Sequence, residues 1–423
     1  MSMYKDLAPT PRTIMTPGPV EVDPRVLRAM SFPILGQFDP EFTALMNETM
    51  SMLRQLFRTG NEWAFPVDGT SRSGLEAVLV GLIEPGDKVL VPIYGRFGHL
   101  LAEIAGRCGA EVITIEKEWG FVFSREELEL AVKQHRPAVV AVVHGETSTG
   151  RLQPLEGLGA LCHELGALLV VDAVATIGGV RLDTDHLMLD AVIGGTQKCL
   201  SVPAGMAPLT YNDRAAAKLL RRKKIERGLA ADDADDDPLL RPIQSNYLDL
   251  SQLQDYWSPA RLNHHTEATS MLYALREGLR LVLEEGLEER FARHLLHEKA
   301  LIAGLEAMGL LLFGDPGCKM PVVTCIMIPD GVDGESVRAM LLEQFGIEIA
   351  SSFGPLKGKI WRIGAMGYSC SKRNVLLTLG ALEAVLLRHG FEPHRACAVQ
   401  AAMDVYAAEA AAAEAAAEAD VTP

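Results

Sequence analysis

At 423 residues, 48% of them hydrophobic and 22% charged, the chain has an ordinary globular composition and enough length for a large core in two domains. A formal net charge of -15 argues against a nucleic-acid partner, because phosphate backbones are held by clustered Lys and Arg. Seven scattered cysteines (Cys108, Cys162, Cys199, Cys318, Cys325, Cys370, Cys397) include no CxxC pair, which speaks against a disulfide framework or a zinc site. The chain shows no signal-peptide pattern and no apolar run of membrane-spanning length, so a cytoplasmic protein with reduced thiols and no membrane partner is expected.

In chain order, residues 1–20 read as an irregular arm, because Thr16-Pro17-Gly18-Pro19 can continue neither a helix nor a central strand. Asp39 as N-cap and Pro40 at the first helical position start a helix to about Arg58, with Phe42, Leu45, Met46, Leu53 and Leu56 at helical spacing. Gly69-Thr70-Ser71-Arg72-Ser73-Gly74 leads into a helix from Leu75 to Ile83. Strand and helix then alternate: Lys88–Ile93, Glu111–Ile115, a helix opened by the capping box Ser124 to Glu127, Ala138–Val143, and a helix near 155–165. Two apolar runs, Leu168–Val171 ending in Asp172 and Ala191–Ile193 leading into Gly194-Gly195-Thr196-Gln197-Lys198, read as buried parallel strands. The alternation predicts an α/β fold, a parallel sheet between layers of helices.

Residues 230–237 read as an exposed acidic loop. A long helix is predicted from Thr269 to about Leu305, bridging into a smaller α+β unit. That unit has strands at Pro321–Ile328, Ile347–Ser351 and Lys359–Ile363 and helices at Glu335–Gln344 and Lys372–Arg388. The boundaries expected are an arm at 1–20, a large domain at 21–290, a small domain at 291–395 and an Ala/Glu-rich tail at 396–423. Within the tail, the Ala/Glu repeat from Ala407 to Ala419 has no apolar stripe to bury and reads as a solvated or frayed helix.

In open α/β sheets ligands bind at the C-terminal edge of the strands. Asp172 and Lys198 both fall there. Singly they read as a cap and a solvated lysine. Together they suit pyridoxal 5'-phosphate, whose aldehyde condenses with a lysine amine and whose ring nitrogen pairs with a carboxylate. The Gly69–Ser73 turn before a helix offers backbone N–H groups and hydroxyls to a phosphate, although a plain capped helix start explains it equally. His144-Gly145-Glu146-Thr147-Ser148-Thr149-Gly150 follows another strand and offers Thr147 or Ser148 to a ligand, His144 reading as a supporting residue. Phe97 can stack on a ring or fill the core. Arg362 sits in an apolar strand, where its fork needs either a protein acid or a substrate carboxylate. His264 and His265, adjacent in sequence, are expected to face different ways, so no metal is expected.

Assembled in order, Thr16–Pro19, His144–Gly150, Asp172–Val174, Gly195–Lys198, Asn263–Thr266 and Trp361–Gly364 resemble the class V, fold-type I aminotransferases, from about Thr16 to Arg388. Within that family the chain is similar to the alanine–glyoxylate and serine–pyruvate branch. The resemblance implies a large domain with a mostly parallel seven-stranded sheet and a smaller C-terminal domain. It implies that Lys198 bonds the cofactor and shuttles a proton, Asp172 pairs with the ring nitrogen, and Val174 and Phe97 cover the two ring faces. Thr147 bonds the ring oxygen, and Thr70, Ser71, Arg72 and Gln197 hold the phosphate. Thr266 of a neighbouring subunit reaches that phosphate, so a homodimer is implied. Arg362 clamps the substrate carboxylate.

Two positions depart from that branch: Phe97 stands where Trp is usual and Asn263 where Tyr is common. Asn263 with Gln37 looks like the ureidoglycine–glyoxylate aminotransferases, two amides matching the donors and acceptor of a ureido group. The reaction implied is amino transfer from (S)-ureidoglycine to glyoxylate, giving glycine and N-carbamoyl-2-oxoglycine, an oxalurate-type keto product of purine catabolism. The alternatives are an alanine or serine donor, a class V lyase, for which Cys370 has no evident catalytic setting, and a non-catalytic protein on the same fold.

Overall fold

The computed structural model describes residues 4–226, 228–229, 241–392 and 398–420. The acidic stretch 230–237 and Cys397 lie outside the described residues. Seven strands form the main sheet: β1 (Trp63–Gly69), β2 (Lys88–Ile93), β3 (Glu111–Glu116), β4 (Val139–Val143), β5 (Leu168–Asp172), β6 (Ala191–Ile193) and β7 (Gly205–Tyr211). Their spatial order is β1-β7-β6-β5-β4-β2-β3, with β7 antiparallel to both its neighbours and the other pairings parallel. β4, β5 and β6 are buried at every residue, as a parallel sheet covered on both faces requires. The sheet is the α/β platform expected, and it brings the C-terminal ends of β5 and β6 side by side, with Asp172 paired in register with Ile193.

Helix starts follow their caps. Asp39 accepts from the Glu41 N–H and opens Pro40–Phe57, and both halves of the capping box between Ser124 and Glu127 are formed. The helix after the Gly69 turn begins earlier than expected, at Ser71, so Ser71 and Arg72 are its first residues. The long helix expected from Thr269 is two helices, Thr269–Glu285 and Leu287–Ala307, because Gly286 takes a φ of +88° that breaks the hydrogen-bond ladder.

Two strands of the main sheet escaped the sequence reading. β1 and β7 each carry a proline at the centre, and Pro66 and Pro208 oppose each other in register. A proline deletes a ladder donor, but β1 has no further neighbour on its outer side, and β6 ends at Ile193, opposite Leu209, so the missing Pro208 N–H faces no strand.

A smaller antiparallel sheet, β8 (Val323–Met327), β9 (Ala350–Ser351) and β10 (Ile360–Gly364), has order β8-β10-β9. The arm is not wholly irregular: Thr13 and Ile14 pair with Ile347 and Glu348, seating Met15 in the apolar cluster around Trp361 and Leu382. Ala175 and Cys199, from the loops after β5 and β6, pack with Val323 and Cys325 of β8, so both sheets meet at the strand ends. The tail forms a helix, Ala398–Asp420, whose first turns bury Ala398, Ala402 and Tyr406. Beyond them residues 407–415 are helical and exposed, the solvated helix expected of the Ala/Glu repeat. Among the described residues no helix is long and apolar enough to cross a membrane.

Candidate active site

A cavity of about 220 Å³ opens at the ends of β5 and β6. Asp172, Val174, Gln197 and Lys198 line it, together with Thr70, Ser71, Arg72, Phe97 and Thr147. Nine of the expected site residues, spread over 128 positions from Thr70 to Lys198, therefore meet in one place.

The loop bearing Lys198 is fixed from behind. The Thr196 hydroxyl lies 3.0 Å from the Pro203 carbonyl and 3.2 Å from that of Met206, and the Ser201 N–H returns to the Lys198 carbonyl at 3.0 Å. The Lys198 amine donates to the carbonyl of Pro17 in the arm. Gly18 sits directly against it: a Cβ there would lie 2.5 Å from Lys198 Cδ, and its φ of +106° already disfavours any other residue. Burial, then the positive charge of Arg362, brings the amine down to about 8, so a sizeable fraction is neutral and nucleophilic near neutral pH.

Asp172 is buried and accepts one hydrogen bond, from the Val174 N–H at 3.0 Å. Burial raises its carboxyl to about 7, only partly countered by that bond. Such a group needs a cation beside it to stay ionised. Its folded value lies above the ordinary one, so the ligand-free fold binds the extra proton and loses stability as pH rises from about 4 to about 7. Asp172→Asn is accordingly expected to raise the melting temperature of the ligand-free protein at pH 8, with an upper bound of about 4 kcal/mol. Melting curves at pH 5 and pH 8 check this, and a variant less stable than wild type at pH 8 would refute it.

At the Gly69 turn the Ser71 hydroxyl donates to the Gln197 side chain at 3.1 Å, joining the N-terminus of helix Ser71–Leu82 to the Lys198 loop. Thr70 is the N-cap but its side chain bonds no helix N–H, which leaves the hydroxyl free for a ligand. Free N–H groups at the start of a 12-residue helix suit an anion.

Arg362 is buried, and among the described residues no carboxylate pairs with it, so the alternative of a structural ion pair is not what the fold uses. Instead Nε donates to the Ser351 carbonyl at 2.7 Å and one terminal nitrogen to the Thr147 carbonyl at 3.0 Å, while the guanidinium lies 4.7 Å from the centre of the Phe353 ring. Neutral carbonyls orient the fork and leave its charge uncancelled.

Glu146 was missed as a positioning group, although it lies in the His144–Gly150 stretch. Wholly buried, it accepts from the Phe97 N–H at 2.8 Å and from the Ser148 N–H and hydroxyl at 3.0 and 2.6 Å, which holds the aromatic against the cavity. His144 is buried, brought down to about 4 by desolvation and therefore neutral, with Nδ1 2.9 Å from the Thr176 hydroxyl.

Four expected residues are not among those lining the cavity of their own chain: Gln37, Asn263, Thr266 and Arg362, the last joined to it through the carbonyl of the lining residue Thr147. Gln37 and Asn263 nevertheless meet, the Gln37 Nε2 donating to the Asn263 Oδ1 at 2.9 Å, while the Gln37 Oε1 is shut off from solvent without a partner. His264 and His265 do not face apart as expected. Their Nδ1 atoms are 2.9 Å apart, because residues 261–264 and 266–268 form neither helix nor strand and alternation does not apply.

The family described as "Aminotransferase class-V" matches residues 34–356. The chain is 66% identical over 408 residues to the (S)-ureidoglycine–glyoxylate transaminase of Bacillus subtilis, covering 96% of this chain and 98% of that one. It is 36% identical over 389 residues to the alanine–glyoxylate aminotransferase of Callithrix jacchus, covering 91% and 90%. The crystal structure of ureidoglycine–glyoxylate aminotransferase from Bacillus subtilis superposes with a TM-score of 0.90 at 64% identity, covering 95% of this chain and all of that one. That of the alanine–glyoxylate aminotransferase from Nostoc sp. gives 0.85 at 41% identity, covering 91% and 98%.

Proposed function

The chain belongs to the class-V aminotransferases, and from that premise we propose that it transfers the amino group of (S)-ureidoglycine to glyoxylate, yielding N-carbamoyl-2-oxoglycine and glycine. The amino group and a hydrogen leave the donor carbon and the keto oxygen of glyoxylate is exchanged for them, so the two half-reactions balance without an external oxidant.

Pyridoxal 5'-phosphate is the cofactor proposed, and the residues present fit it. Asp172, buried and short of a counter-charge, would receive the ring nitrogen. Lys198 would bond its aldehyde, Val174 and Phe97 would bracket the ring, and Thr147 would meet the ring oxygen. Thr70, Ser71, Arg72 and Gln197 would hold the phosphate at the helix N-terminus. When bound, the cofactor supplies an electron sink that acidifies the Cα–H of the amino donor.

The chain's own groups do the rest. Lys198 Nζ, brought down to about 8 and so neutral in a fraction of molecules near neutral pH, takes the proton from the donor Cα and returns one to the carbon that becomes glycine Cα. Asp172 holds its negative charge against the ring. Arg362 clamps the carboxylate that donor and acceptor share, with Phe353 and two carbonyls keeping its fork still.

The observation that carries the donor is the amide pair. Gln37 and Asn263 each spend one amide end on the other, which leaves an NH2 group and an unpartnered carbonyl, the complement of a ureido group. Neither lines the cavity of its own chain. We therefore read them, with Thr266, as completing the site of a second copy in a cytoplasmic homodimer.

The test is kinetic. Ureidoglycine is labile, so it is generated in situ from allantoate and compared with alanine and serine, glyoxylate being the acceptor. A kcat/KM at least about 100-fold higher with ureidoglycine is expected, the scale set by two unmatched amides. Faster turnover with alanine would overturn the donor and favour the alanine–glyoxylate activity instead.

A further inference from the structure

A second polar cluster lies away from the cavity. Asp68, the penultimate residue of β1, has Oδ2 3.4 Å from His265 Nε2, and Glu267 Oε2 approaches the same nitrogen to 3.6 Å. Glu267 is 4% exposed, and both of its carboxylate oxygens, like Asp68 Oδ1, are shut off from water without a hydrogen-bond partner. Among the described residues no Lys or Arg pairs with either acid. Burial and the neighbouring Asp68 push the Glu267 carboxyl well above the ordinary range, which favours its neutral form. Around them stand His265, His264, Tyr247 and Tyr256, the Tyr256 ring 4.8 Å from that of His265.

The ring contacts orient the two histidines. His264 Nε2 faces the Asn246 carbonyl at 3.4 Å, so it carries a hydrogen. The Nδ1 of a neutral His264 is then an acceptor, and the hydrogen in its 2.9 Å contact belongs to His265 Nδ1. His265 Nε2 lies 3.4 Å from Asp68 and 3.6 Å from Glu267 without a formed hydrogen bond. The Ala268 N–H donates to Asp68 Oδ2 at 3.1 Å, a further tie between the segment and β1.

We infer that Asp68, His265 and Glu267 form a polar clasp that positions Asn263 and Thr266, and thereby sets the donor preference. The clasp joins the irregular segment 263–268 to the strand that runs directly into the Gly69–Ser71 turn. Asn263 and Thr266 are themselves exposed, and the side-chain contact Asn263 makes is to Gln37, so their aim depends on this anchor. The inference rests on the roles proposed above for those two residues.

His265→Asn, the nearly isosteric Glu267→Gln and the double variant test it in the cofactor-loaded enzyme. Each single change is expected to raise the KM for in situ ureidoglycine about tenfold, the scale of one lost buried polar contact. The kcat should move less than about threefold, the KM for alanine should not move, and the double variant should be no worse than His265→Asn. Amide hydrogen exchange of 260–268 should quicken in all three. Additive penalties, equal losses with both donors, unchanged exchange, or a stoichiometric divalent metal in the wild-type enzyme would each overturn the clasp. A wild type that prefers alanine would overturn the donor reading alone, since the exchange measurement tests the clasp without any substrate.

Discussion

Lys198→Ala is expected to reduce transamination by at least about 10⁴-fold and to abolish the visible absorbance of a lysine-bound pyridoxal cofactor. Two tasks end together, because one nitrogen is both the nucleophile toward the cofactor and the proton carrier at the substrate carbon. Other amines do not substitute. The charge of Arg362 is fixed on the carboxylate side by the Ser351 and Thr147 carbonyls, and Lys319, another deeply placed lysine among the described residues, is committed to Glu298. Absorbance spectra of wild type and variant, recorded after reconstitution with excess cofactor, decide the matter. An unchanged spectrum would remove Lys198 from the chemistry, and with it the reading of the cavity.

Asn263→Tyr is the second large effect expected. The exchange deletes the acceptor of the Gln37 amide and leaves both ends of that side chain unmatched next to a donor that needs them. The kcat/KM for ureidoglycine should fall about 100-fold or more, while alanine, which has no ureido group to satisfy, should turn over at least as fast as before. Parallel kcat/KM measurements with the two donors check this. Equal losses would mean that Asn263 supports the fold of its segment rather than donor choice, and a harmless change would favour the alanine donor.

How much of this was legible beforehand depends on whether a feature is local. The short apolar runs ending at Asp172 and Ile193 read as parallel strands because a doubly covered sheet demands unbroken apolar residues. The cap at Asp39 and the box at Ser124 read directly, since each is written within four residues. Strands β1 and β7 did not, because Pro66 is tolerated on the outer edge of the sheet and Pro208 where β6 has already ended, facts about neighbours and not about either segment. The helix break at Gly286 was hidden for a related reason: the apolar period resumes on the far side of the glycine.

The sequence by itself determined the α/β platform, the placing of an acid and a lysine at adjoining strand ends, and the family pattern that joins them to Arg362. These follow from strand period, turn residues and motif order, all carried by short stretches of chain. Only the tertiary structure decided that Glu146 holds Phe97, that carbonyls and not an acid orient Arg362, and that Gln37 meets Asn263 across 226 positions. It alone turned His264 and His265 toward each other and set Asp68 beside Glu267. The reason is that the energy of a buried polar group depends on which partners the fold delivers to it, and no local pattern of residues records that delivery.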